Sequence, residues 1–91
     1  MIKVQRVGEG EFEAVVRDGN GESRHRVMMS DAKGKQLTAG KHTPDRCVEA
    51  AFHFLLDREP KESILARFDI SLISRYFPEF EQELPRYLAQ P

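Results

Sequence analysis

Apolar and polar residues alternate along the first third of the chain. Ile2 and Val4 flank Lys3, then Phe12, Ala14 and Val16 alternate with Glu11, Glu13, Val15 and Arg17, and His25, Val27 and Met29 alternate with Arg24, Arg26 and Met28. A period of two is the mark of a strand with one buried face. Gly8-Glu9-Gly10 interrupts the first pair of runs, and Asp18-Gly19-Asn20-Gly21 separates the second pair. Gly and Asn accept the positive φ of tight hairpin turns, so three antiparallel strands follow.

Setting Asp18 opposite Gly21 fixes the register. Val16 then faces Ser23, Ala14 faces His25 and Phe12 faces Val27, while the opposite face sets Glu13 against Arg26 and Val15 against Arg24. One register thus yields an apolar face and a charge-paired face. The same logic places Ile2 near Val16 and Val4 near Ala14.

The pattern changes period at residues 43–58. Thr43 is a good N-cap, Pro44 suits the first helical position, and Asp45 meets the positive end of the helix dipole. Cys47, Val48, Ala50, Ala51, Phe52, Phe54, Leu55 and Leu56 sweep about two-thirds of the helical circumference, leaving Arg46, Glu49, His53 and Asp57 as a polar stripe. So wide an apolar arc needs cover on two sides. The sheet supplies one, and the C-terminal residues must supply the other.

Two segments are read with less local signal. Residues 35–39, around Leu37, are expected as a short edge strand, for which Lys35 is suited because charge discourages pairing with another chain. Residues 63–68 carry Ile64, Leu65 and Phe68 at helical spacing and are expected as a short helix, followed by another capped by Asp69 and stapled by Phe68 and Ile73. Pro78 and Pro85 break the stripe of Leu72, Ile73, Tyr76, Phe77, Phe80, Leu84 and Leu88. The expected architecture is an α+β fold with a three-stranded antiparallel sheet, with residues 35–39 as the candidate fourth strand, packed on a central helix with a broken helical C-terminal region.

Size and charge narrow this picture. Ninety-one residues with 40% hydrophobic and 32% charged positions fit a single domain spanning 1–91 with one core. A lone Cys47 forms no internal disulfide, the first residues lack a secretory pattern, and no apolar run reaches the ~18 residues of a membrane span. The expected location is cytoplasmic, with no membrane partner. Net charge is −1, yet seven basic residues stand against four acidic ones between Arg17 and Arg46.

Arg24, Arg26, Lys41, His42 and Arg46 are therefore a candidate anion or nucleic-acid patch, the last three clustered at a helix N-terminus. More specific chemistry fails on spacing. Cys47 and His53 lie about 240° apart on the helix, which excludes a thiol–imidazole pair and leaves Cys47 as a core residue. His42 stands near the helix start, where a thiol is sometimes activated. His25, His42, His53 and Cys47 lack paired ligand spacing, so neither a metal nor another cofactor is expected. Between Gly34 and Gly40 there are five residues, and Lys41 precedes His42, so the P-loop pattern is not met. Residues 66–75 are too short in register for a helix-turn-helix. The outer sheet face, with Lys3, Arg17, Arg24 and Arg26, lacks the aromatic platforms of single-strand binders and carries Glu11 and Glu13.

The strands around the Asp18-Gly19-Asn20-Gly21 turn, followed by Thr43-Pro44-Asp45-Arg46-Cys47-Val48-Glu49-Ala50-Ala51, resemble in layout the N-terminal domain of HicB-type antitoxins. There a Thr-capped, Ala-rich helix packs on a small sheet. The resemblance covers about half the chain and implies an antitoxin-like domain as a further alternative, although no ribbon-helix-helix segment follows Pro60. The functional expectation is a non-enzymatic interaction or regulatory module that binds a protein partner or itself. Its candidate partner patch is Tyr76, Phe77, Phe80, Tyr87 and Leu88. Weak nucleic-acid or anion binding through the basic patch is the alternative.

Overall fold

The computed structural model describes residues 1–90. Strands β1 (Ile2–Gly8), β2 (Glu11–Asp18) and β3 (Gly21–Met28) form an antiparallel meander. The pairing is the one the side chains dictate: Val16 opposite Ser23, Ala14 opposite His25, Phe12 opposite Val27, and Ile2 opposite Val16. Phe12, Ala14, Val16, His25, Val27 and Met29 are buried on the inner face. The outer face is a charge lattice in which Arg24 meets Glu13 and Glu22, and Arg26 meets Glu11 at 3.1 Å.

Residues 35–39 are not an edge strand. Residues 35–38 belong to helix α1 (Asp31–Thr38), with Ala39 as its C-cap, and its N-terminus is held by Ser30 Oγ accepting from Lys33 N at 3.1 Å. The helix ends where Ala39 and Gly40 take left-handed φ values of 54° and 70°. Gly34 lies inside it, packed so closely that a Cβ there would stand 3.0 Å from Cε of buried Met29.

Helix α2 (Pro44–Leu56) is the central element. Thr43 Oγ1 accepts from Arg46 N at 3.2 Å, the expected cap. Cys47, Val48, Ala50, Ala51, Phe52, Phe54 and Leu55 are all buried. The two covers are as the pattern requires. Phe52 lies against His25 and Phe68 on the sheet side, with ring centroids 5.3 and 6.1 Å away. Phe54 meets the tail, edge-on to Phe77, Phe80 and Tyr87 at 5.9, 5.0 and 5.7 Å. Truncating a side chain buried like Phe54 costs about 3–5 kcal/mol.

The fourth strand comes from elsewhere and runs the other way. After a 3-10 turn at Lys61–Ser63, β4 (Arg67–Asp69) pairs parallel to β3, giving the order β1-β2-β3-β4. Residues 63–68 are thus not a helix. Parallel pairing is available because the whole of α1 and α2 crosses over between β3 and β4. Helices α3 (Ser71–Tyr76) and α4 (Phe80–Leu88) complete the fold, separated at Pro78, while α4 runs through Pro85. Asp69 is not the N-cap of α3: that position is Ile70, with no side-chain cap, and Asp69 Oδ1 instead accepts from Ser71 N and Ser71 Oγ at 2.9 and 2.8 Å one residue earlier. No helix among the described residues is long and apolar enough to cross a membrane.

Candidate functional site

The basic residues singled out in the sequence do not converge. Arg24 and Arg26 lie on the outer sheet face, tied to glutamates, on the side of the sheet away from α2. Lys41 and His42 are exposed in the loop before α2. Arg46 is turned inward. Its Nη1 pairs with Glu49 at 2.9 Å, and its Nη2 donates to Tyr87 O, Leu88 O and Gln90 O at 2.9, 3.3 and 2.5 Å. The carbonyls that end α4 have no partner within the helix, and a guanidinium fork is well shaped to collect them. Arg46 is thereby committed to joining two helices. Among the described residues there is no group of three or more side chains able to hold a metal ion. Cys47 is fully buried, and burial pushes its thiol up to about 11.

The aromatic patch divides in the same way. Phe80, Tyr87 and Leu88 are buried and complete the core around Phe54. Tyr87 keeps its hydroxyl satisfied by donating to Asp57 Oδ2 at 2.6 Å, and Arg58 closes over the Phe54 ring at 3.6 Å. The aromatic residues form no continuous surface because the apolar stripe of α4 packs on the side of α2 that the sheet leaves bare. Phe77 is half-buried, and Tyr76 is 68% exposed.

Tyr76 stands at the edge of an apolar groove. The groove holds about 430 Å³ and is bounded by the end of α2 (Leu55, Glu59), the segment leading into β4 (Ile64, Leu65, Phe68) and α3 (Leu72, Tyr76). Its shape follows from how residues 60–66 are pinned. Buried Lys61 reaches Asp18 Oδ1 at 2.9 Å and also pairs with Glu62. His25, buried on β3, donates from Nδ1 to Leu65 O at 2.8 Å while its Nε2 lies 2.8 Å from Ser23 Oγ. Arg26 N donates to Ala66 O at 2.7 Å. With the backbone fixed at Leu65, the alternation that buries Ile64 and Phe68 turns the Leu65 side chain outward, 51% exposed.

Lys61 is the charged anchor of this arrangement. Glu62 and Asp18 raise its pKa above the usual lysine value, and in return it lowers both carboxyls. Sequence reasoning missed Lys61 and His25 as positioning residues, since neither carries a local signal of its long-range partner.

No protein-family model, curated protein or solved structure gives a significant match to this chain.

Proposed function

We propose that this chain is a small non-enzymatic interaction module of the cytoplasm, receiving a protein surface in the groove bounded by β4, α3 and the end of α2. One observation carries the reading: Leu65 and Tyr76, 51% and 68% exposed, both line a groove whose other walls are mainly apolar, with Glu59 and Ser63 as its polar members. A large apolar side chain left singly in water is ordinary, but two that share a concave apolar surface favour a macromolecular partner. The unpaired Cys47 accords with a reducing compartment.

Replacing Tyr76 with the photoreactive analogue benzoylphenylalanine tests this in the native cell. Irradiation is expected to yield a defined protein adduct from position 76 and none from exposed Lys41 used as a control. If position 76 gives no protein adduct, the module reading is overturned.

A further inference from the structure

The parallel ladder between β3 and β4 leaves one set of backbone groups facing outward. Arg26 N donates to Ala66 O at 2.7 Å and Ile70 N donates to Met28 O at 2.9 Å, with Arg26 in register with Arg67 and Met28 with Asp69. In such a ladder Ala66, Phe68 and Ile70 turn their bonding groups toward β3. The N–H and C=O of Arg67 and Asp69 therefore point away from it. No strand lies beyond β4, and none of these four groups bonds to another among the described residues. Both residues are exposed.

From this edge we infer that the occupant of the site is a second copy of the chain, paired antiparallel along β4 about a two-fold axis at Phe68; the inference rests on the groove being a protein-binding surface. Setting Phe68 opposite its symmetry mate makes Arg67 oppose the partner's Asp69, and Asp69 the partner's Arg67. Those are the residues whose N–H and C=O face outward, so each pair exchanges two backbone hydrogen bonds across about 5.5 Å. The side chains agree. Phe68 is buried on the inner face, so Arg67 and Asp69 project from the outer face, where the dyad sets unlike charges opposite each other twice.

Neither residue is committed elsewhere in a way that prevents this. Arg67 and Asp69 form no ion pair among the described residues, and Asp69 uses only Oδ1 toward Ser71. The other edge of the sheet is different. The charged side chains of β1 are Lys3 and Arg6 with no acidic residue, so self-pairing there sets no unlike charges opposite each other. Pairing through β4 is isologous and closes at two copies. Phe68 belongs to both the edge strand and the groove wall, and Leu65 lies two residues before that strand, so the same axis sets the partner against this end of the apolar surface.

Sedimentation equilibrium across the micromolar range, with amide hydrogen exchange at matched concentrations, tests the assignment. Wild type is expected to dimerise, with the Arg67 and Asp69 amides becoming protected as concentration rises. Arg67→Asp and Asp69→Arg are each expected to weaken the dimer by about tenfold or more, and the double charge exchange to recover it. A wild type that stays monomeric, or a folded double variant no tighter than either single one, overturns the dimer. A position-76 adduct to a different protein, with the chain monomeric, overturns the second copy while leaving the groove reading intact. Absence of any adduct removes both.

Discussion

Arg46, on the first turn of α2, caps the far end of α4 by donating to Tyr87 O at 2.9 Å. The same guanidinium reaches Leu88 O and Gln90 O, and its own helix supplies Glu49 to balance the charge. A residue that reads in sequence as one of several cations at a helix N-terminus is, in three dimensions, the polar clasp between the central helix and the tail.

Arg46→Met keeps much of the aliphatic volume and removes the donors. It is expected to destabilise the fold by about 1.5–3 kcal/mol, the usual worth of hydrogen bonds to a charged group. Urea unfolding followed by far-ultraviolet circular dichroism measures this, and Arg46→Lys should recover only part of the loss because a point charge cannot span three carbonyls. An Arg46→Met protein as stable as wild type would contradict the clasp.

Lys61 gives stability a defined pH dependence on the acid side. Asp18 and Glu62 have ordinary values of 3.8 and 4.5 and are both lowered, chiefly by hydrogen bonding to Lys61. A depressed folded-state pKa means the stabilisation is complete above the unfolded value and is lost as pH falls through the folded one. Lys61→Met is therefore expected to be less stable than wild type near neutral pH, with the difference shrinking below about pH 4.5. Denaturation midpoints measured from pH 7 to pH 2 check the sign. A gap that stays constant with pH would point to packing alone.

The alkaline limb has a second origin. Cys47 is raised from 9.0 to about 11 by burial, so its contribution is complete below 9 and is lost as pH climbs through 11. Cys47→Ala should flatten that part of the profile at the cost of a small cavity. The same burial predicts that iodoacetamide modifies the native thiol about a thousandfold more slowly than the unfolded one, at a rate set by opening of the fold. Rapid alkylation under native conditions would refute it.

How far the sequence discloses this fold depends on the range of the interactions involved. The three-strand register was legible because a hairpin turn couples neighbours: once Asp18 faces Gly21, every later pair follows. The double-sided burial of α2 was legible because one helix displays its entire apolar arc locally. Residues 35–39 differ from the expected strand because Lys35 and Leu37 continue a helix that begins at Asp31, for which the cap at Ser30 was the available local signal. The strand at Arg67–Asp69 sits in a period-two run, Ile64, Ala66, Phe68 and Ile70 against Leu65, Arg67 and Asp69, but Ile64, Leu65 and Phe68 also fit helical spacing, and the partner β3 that decides between the two lies about forty residues away. Of the site, Tyr76 was legible as an aromatic. That Phe80, Tyr87 and Leu88 are core was decided by the packing of Phe54, which the tail sequence alone does not specify.

The groove and the core beside it should respond oppositely to truncation. Leu65 and Tyr76 are more than half exposed and touch the core only at its margin, so Leu65→Ser and Tyr76→Ser are each expected to change stability by no more than about 0.5 kcal/mol. Phe68, 7% exposed and stacked toward Phe52, forms the floor of the same groove, and Phe68→Ala should cost about 3–5 kcal/mol. Urea unfolding of the three variants measures the contrast. Held below the concentration at which it dimerises, native wild type should also enhance the fluorescence of an apolar dye such as anilinonaphthalene sulfonate, and the Leu65→Ser/Tyr76→Ser double variant should lose that enhancement while keeping the monomer's unfolding midpoint. A double variant that unfolds early would mean that Leu65 and Tyr76 support the core, and the groove would then have no residues left over for a partner.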